Sequence, residues 1–278
     1  MIIKNHRLEG KSVEYIQTPN IGNEMSGNLP DTIVLHYSAG RDASSTVRTL
    51  CNPSVKASAH LVIGRGGELY QLAPFNVVTW HAGKSSWNGR TGLNRYSIGI
   101  EIDNAGLLNK NDDSYTSWFG KEYPKSEVIH AVHRNNNIAQ YWHRFSEVQI
   151  ELVEQLCRLL SDHYSIDTIV GHEEISPKRK IDPGPAFPLD KIRDHLLGSG
   201  RDDESGEENN DAEPDTLYVT ASRLNIRTDH YADAPRAADS LPRGTVLRVL
   251  EKSENNWYRV ATGAVGWVSG DFVSPDKP

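Results

Sequence analysis

The 278-residue chain has only two cysteines, Cys51 and Cys157, and neither stands in a C-x-x-C or metal-finger spacing. That scarcity excludes a disulfide framework and a cysteine-built metal cluster. Cys157 falls in a periodic apolar stretch, where a free thiol behaves as a small core residue, and the same reading is taken for Cys51. Long apolar runs are also missing, since none approaches the ~18 residues needed to span a bilayer as a helix. The opening MIIKNHRLEG has neither an extended apolar stretch nor a small-residue cleavage site. No secretory leader is therefore expected, and the chain is expected to stay in the cytoplasm or to leave it by a route not written in the sequence. Basic residues are in deficit, with Lys+Arg 30 against Asp+Glu 37 and a net charge of −7. Residues 201–215 (RDDESGEENNDAEPD) hold eight acids and one Arg and account for the whole imbalance. A neutral remainder without a Lys/Arg stripe lacks the electrostatic footprint of a nucleic-acid binder.

What is present divides the chain in three. Residues 198–215 are acidic, bear Gly, Ser and Asn, and are nearly free of apolar side chains. Such a segment buries too little surface to offset its ordering entropy and reads as a self-repelling disordered linker. It separates a block at 1–197 from a tail at 216–278, both of ordinary domain size. In the first block, TIVLH (32–36) is a β-branched run, and HLVIGRGGELYQL (60–72) reads as two strands around a Gly-Gly turn. SIGIEI (97–102) alternates strictly, with Ile98, Ile100 and Ile102 on one face and Ser97, Gly99 and Glu101 on the other. FSEVQIELVEQLCRLLSDHY (145–164) predicts a helix with Val148, Leu152, Leu156, Leu159 and Leu160 on its apolar face. Ser146 and Gln149 form a capping-box start. A short helix is predicted near 189–197. Strands interleaved with helices predict an α/β or α+β domain around one sheet, taken here as α/β with a mixed central sheet flanked by helices. The tail shows only short strands set off by PRG, ENN and TG turns, which predicts a small all-β barrel.

Several polar residues sit where chemistry is possible. His36 ends the TIVLH strand, His172 follows TIVG (168–171), and Asp182 lies ten residues on in the turn KIDPGPAF. Three N and O ligands leave a fourth position open, the pattern of a catalytic rather than a structural zinc site. Any one of 11 histidines is more often a surface or core residue, so spacing alone is weak. Glu101 lies mid-strand among isoleucines, where a carboxylate is costly unless paired or used; a cross-sheet ion pair and a catalytic role are both open. Lys180 reads either as a site cation or as an exposed member of the run KRK (178–180).

Four stretches of this block, IVLHYSAG (33–40), SAHLVIGRGGELYQLAPFNVVTWHAG (58–83), SSWNGRTGLNRYSIGIEIDN (85–104) and IVGHEEISPKRKIDPGPAF (169–187), occur together and in order. They resemble the AmpD-like, type 2 N-acetylmuramoyl-L-alanine amidases, a zinc family similar to peptidoglycan-recognition domains. The resemblance implies a zinc-dependent hydrolase that cuts the amide between N-acetylmuramic acid and L-alanine in peptidoglycan or muropeptides. It implies His36, His172 and Asp182 as zinc ligands, Glu101 as the general acid/base and Lys180 as the oxyanion-stabilising cation. Trp80, His81, Arg90 and Asn94 are the implied substrate contacts. Some branches carry a Tyr before the His of S-x-H-x-x-I; here it is Ala59, which leaves the acid/base role to Glu101. Residues 224–273, with LN-x-R, P-x-G-T, W-Y-x-V and G-W-V, resemble a bacterial SH3 domain, which implies a cell-wall peptide as partner. At least one of Trp257 and Trp267 is expected in that domain's core.

Two rivals follow from other classes. One is a peptidoglycan-binding module without activity, which the retention of all three ligands, the lysine and the acid argues against. The other is a zinc peptidase cutting within the stem peptide. The region 105–145 is expected to hold a long loop near the substrate groove, and His130, His133 and His143 are expected at the surface rather than around a second metal.

Overall fold

Six strands of the first unit form one mixed sheet, in the order Thr168–Gly171, Thr32–Tyr37, Ser97–Ile102, Leu61–Ile63, Leu69–Gln71, Val13–Tyr15. The first four run parallel, and the last two run the other way. This computed structural model describes residues 1–277 except 11, 28, 113, 198–215, 222, 232, 233, 254, 255 and 263. The chain divides into two compact units, Met1–Arg201 and Asp202–Pro278. The stretch expected as an acidic linker, 198–215, lies outside the described residues.

The parallel strands are covered on both faces, which is why they read as nearly continuous apolar runs. Ile33, Leu35, Ile98, Ile100 and Ile102 pack with Val153, Leu156, Cys157 and Leu160 of the helix Glu147–Tyr164. On the other face, Val34 and Val170 pack with Ala82, Leu93 and Ile175. There the helix Ala43–Leu50 sets Ala43, Val47 and Leu50 against Val62 and Leu72. The helix predicted near 189–197 is Leu189–Leu197.

The long helix begins at the predicted cap. Gln149 N–H donates to Ser146 Oγ (3.2 Å), and Ser146 N–H donates to Gln149 Oε1 (3.1 Å). Its buried seam differs from the expected one: Val148 is 48 % exposed, while Gln149 is fully buried. Gln149 Nε2 donates to the Asp103 carbonyl at 2.7 Å, so a polar residue is satisfied inside the seam with Val153, Leu156 and Leu160.

Residues 105–145 do not form a long loop. They fold into a five-stranded antiparallel sheet in the order Glu122–Tyr123, Ser114–Thr116, Leu107–Asn111, Ala139–His143, Val128–Val132. Two of its three histidines are buried, contrary to expectation. His133 Nε2 lies 2.6 Å from Glu173 Oε2, and His143 Nε2 lies 3.3 Å from Glu127 Oε2. Only His130 is exposed.

Among its described residues the second unit is built of strands with one 3-10 turn, Gly270–Phe272. A five-stranded antiparallel sheet runs in the order Ala264–Ser269, Trp257–Thr262, Val246–Lys252, Thr216–Val219, Val273–Ser274. Its core is Leu217, Val219, Leu224, Ile226, Leu247, Val260 and Val268. Neither Trp257 nor Trp267 enters it, because the period of two that turns Tyr258, Val260 and Val268 inward turns their neighbours outward. Among the described residues no helix is long and apolar enough to cross a membrane.

Candidate metal centre

The parallel register of the three neighbouring strands brings their carboxyl ends level. Gly171 pairs with Leu35 and His36 with Glu101, so His172, His36 and Glu101 stand in a row where ligands of open α/β sheets gather. Asp182 is brought up to this row by the short helix His172–Ile175, whose Glu173 N–H donates to the Asp182 carbonyl at 2.8 Å. Gly171 makes the approach possible: a Cβ there would lie 2.9 Å from Pro183 Cδ. The side chains of His36, His172 and Asp182 are all buried, with one ligand atom from each within 4.8 Å of the others. Asp182 Oδ2 is 2.9 Å from His36 Nδ1 and 3.0 Å from His172 Nδ1. Among the described residues this is the one such cluster.

The far nitrogens of the two rings are engaged as well. His172 Nε2 lies 3.1 Å from the Ala82 carbonyl, an acceptor, and 3.3 Å from Arg179 Nη2, a donor, so it meets a partner in either tautomer. His81 Nε2 faces both the Ser97 carbonyl (3.4 Å) and Ser97 Oγ (3.2 Å), and Ser97 Oγ gives its own proton to the Leu93 carbonyl (2.7 Å). His81 therefore carries its proton on Nε2 and accepts at Nδ1 from His36 Nε2–H, 3.0 Å away. Burial, and then the charge of His172, lower the His36 pKa to about 4, so this ring is neutral near pH 7 and has one proton. The His36 lone pair at Nδ1 thus faces a carboxylate oxygen, with His172 Nδ1 beside it. A cation answers that arrangement, and a set of two N and one O donors suits zinc with one position open.

The centre opens into a cavity of about 350 Å³ whose wall includes Trp80, His81, Glu101, Lys180 and the three donors. Glu101 Oε2 is buried without a hydrogen-bond partner. Burial, reinforced by the Asp182 charge and opposed by Lys180, pushes the Glu101 pKa up to about 8. Arg90 and Asn94 lie outside this wall. Arg90 donates to Asp31 (2.6 and 3.2 Å), and Asn94 Oδ1 accepts from Ala82 N–H (2.7 Å), which fixes the loop that carries the partner of His172. Sequence reasoning missed Arg179. Its Nη2 donates to the Ala82 and Lys84 carbonyls (3.0 and 3.1 Å) beside His172, and its only sequence signal is membership of the KRK run.

Residues 26–185, more than half of the chain, match the family described as N-acetylmuramoyl-L-alanine amidase. Residues 222–274 match the bacterial SH3 domain. The chain is 30 % identical over 179 residues to the N-acetylmuramoyl-L-alanine amidase AmiD of Escherichia coli (strain K12), covering 61 % of this chain and 54 % of that protein. It is 32 % identical over 140 residues to the 1,6-anhydro-N-acetylmuramyl-L-alanine amidase AmpD of Salmonella typhimurium (strain SL1344), covering 50 % and 57 %. The chain thus spans about half the length of the curated relatives it matches. Among solved structures, a selenomethionine AmpD derivative is similar at 22 % identity and a TM-score of 0.49, covering 71 % of this chain and 99 % of that one. With the amidase match running from before the His36 strand to beyond Asp182, this chain belongs to the N-acetylmuramoyl-L-alanine amidase family.

Proposed function

We propose that the first unit hydrolyses the amide between N-acetylmuramic acid and L-alanine in muropeptides or peptidoglycan, with zinc held by His36 Nδ1, His172 Nδ1 and Asp182 Oδ2. The observation that carries this reading is the set of three converging ligand atoms beside a Glu101 Oε2 without a hydrogen-bond partner in an open cavity. Family membership supports the choice of bond. Zinc, when bound, polarises the scissile carbonyl and brings the pKa of water toward ~7. Glu101 takes the proton of the attacking water on its carboxylate and returns it to the departing amine of L-alanine. A carboxyl whose pKa lies near neutrality is suited to both transfers. The Lys180 ammonium, on the same cavity wall, offsets the negative charge that grows on the carbonyl oxygen. Trp80, 36 % exposed at the wall, offers an apolar surface to the substrate. In the same proposal the second unit holds the enzyme on cell-wall peptide, a reading supported by its match to the bacterial SH3 domain.

The test is mass spectrometry of products from sacculi and from soluble anhydro-muropeptides, with and without a zinc chelator. Chelator-sensitive release of intact stem peptides, leaving free lactyl ends on muramic acid, is the expected result. Cuts within the stem would make the protein a peptidase, and no release from either substrate would make it a binding module.

A further inference from the structure

We infer that His81 is a positioning residue of the metal centre, fixing the ring and the proton of His36, and that Ser97 and Gly99 exist to hold it there. The inference rests on the metal-centre reading above. Both nitrogens of His81 are committed within the protein, Nδ1 to His36 Nε2 at 3.0 Å and Nε2 to Ser97 at 3.2 and 3.4 Å, and the residue is 8 % exposed. No ring nitrogen remains to hydrogen-bond a substrate, although the ring borders the cavity. The cavity-side face of strand Ser97–Ile102 divides the work residue by residue. Ser97 anchors the far nitrogen of His81. Gly99 leaves the space the ring occupies, since a Cβ there would stand 2.4 Å from His81 Cγ. Glu101 then meets the cavity directly.

The backbone under the ring is fixed in turn. His60 Nδ1 accepts from the Gly99 N–H (3.0 Å), while its Nε2–H donates to the Val77 carbonyl (2.8 Å). A continuous path of hydrogen bonds therefore leads from the Leu93 carbonyl through Ser97 Oγ and His81 to His36. Its direction is set at Leu93, which can only accept. Such outer partners fix the tautomer of a ligating histidine, and their loss typically costs about 10–100-fold in metal affinity.

The test compares zinc dissociation constants of the full chain and its His81→Leu, His81→Asn and Ser97→Ala variants, by competition with a chromophoric chelator. Asn places an acceptor oxygen where Nδ1 stood, whereas Leu fills the space without one. We expect Leu to weaken zinc binding by about 10–100-fold, Asn to recover most of that loss, and the visible spectrum of the cobalt-substituted protein to change with Leu alone. Ser97→Ala, the mildest change, should weaken binding measurably even where the Leu variant does not fold. Wild-type affinity in both His81→Leu and Ser97→Ala, or equal loss with Leu and Asn, overturns the inference. So does a raised KM for muropeptide with zinc affinity intact, which would return His81 to the substrate. A wild-type chain that binds no zinc would instead remove the metal centre itself.

Discussion

Glu101 works against the stability of the fold that presents it. Its carboxyl is pushed up to about 8 by burial, so at neutral pH the folded chain without metal holds it protonated while the unfolded chain ionises it. Below the unfolded pKa of about 4.5 both states are protonated and the residue costs nothing; stability then falls as pH rises toward 8. Glu101→Gln should therefore leave metal-free stability unchanged at pH 4 and raise it by about 4 kcal/mol at pH 8, from ~1.4 kcal/mol for each pH unit between the two pKa values. Urea melts at the two pH values measure this. A gain of equal size at both would mean that Glu101 is not held protonated. The same variant should lower kcat by about 10²–10⁴-fold through loss of the general base. Glu101 was legible in the sequence, because strict alternation isolates one carboxylate among three isoleucines. The role of His81 was not legible, since it depends on contacts with His36 and Ser97, 45 and 16 residues away. Arg90 and Asn94 are proposed as contacts only through the resemblance, and in the structure their side chains bond to Asp31 and to Ala82 N–H.

At the scale of elements, the helix Glu147–Tyr164 and the Glu173 corner carry the scaffold of the centre. Leu156 is fully buried against the central strands, and Leu156→Ala should cost about 2–5 kcal/mol, read as a lower denaturant midpoint at unchanged slope. Glu173 stands one residue after His172 and ties two parts of the fold together. Its Oε2 lies 2.6 Å from His133 Nε2 and accepts from Gly184 N–H (3.0 Å), and its Oε1 accepts from Arg134 Nε (2.8 Å). Glu173→Ala leaves buried partners unpaired and should cost about 3–5 kcal/mol. A loss under 1 kcal/mol in the same melts would show that the 107–143 sheet is not anchored through this carboxylate. The helix was legible from its cap and period, yet its face was misjudged by one position because a glutamine, not a valine, fills the buried seam. The 107–143 sheet was illegible. Its strands are two to five residues long and alternate only weakly, as in LLNKN and AQYWH, so no periodic signal accumulates.

For the whole molecule, composition alone marks two apolar-patterned blocks, because the charge imbalance is confined to one stretch between them. Each unit has its own core, and the three metal donors lie in the first, so ligand binding should act on one unit alone. Calorimetry should show zinc at 1,000 times its Kd stabilising the amidase transition by about 4 kcal/mol while leaving the SH3 transition in place. On the proposed reading, the second unit contributes location rather than chemistry. A domain that holds wall peptide keeps the active cavity at high effective concentration near an insoluble polymer, an advantage of about 10²–10⁴-fold that a freely diffusing fragment cannot offer. A chain ending at residue 197 should therefore cleave soluble anhydro-muropeptides as fast as the full chain but release stem peptides from intact sacculi at least about ten times more slowly. Equal rates on sacculi would remove wall retention from the SH3 unit, and equal losses on both substrates would mean that the second unit supports the fold of the first.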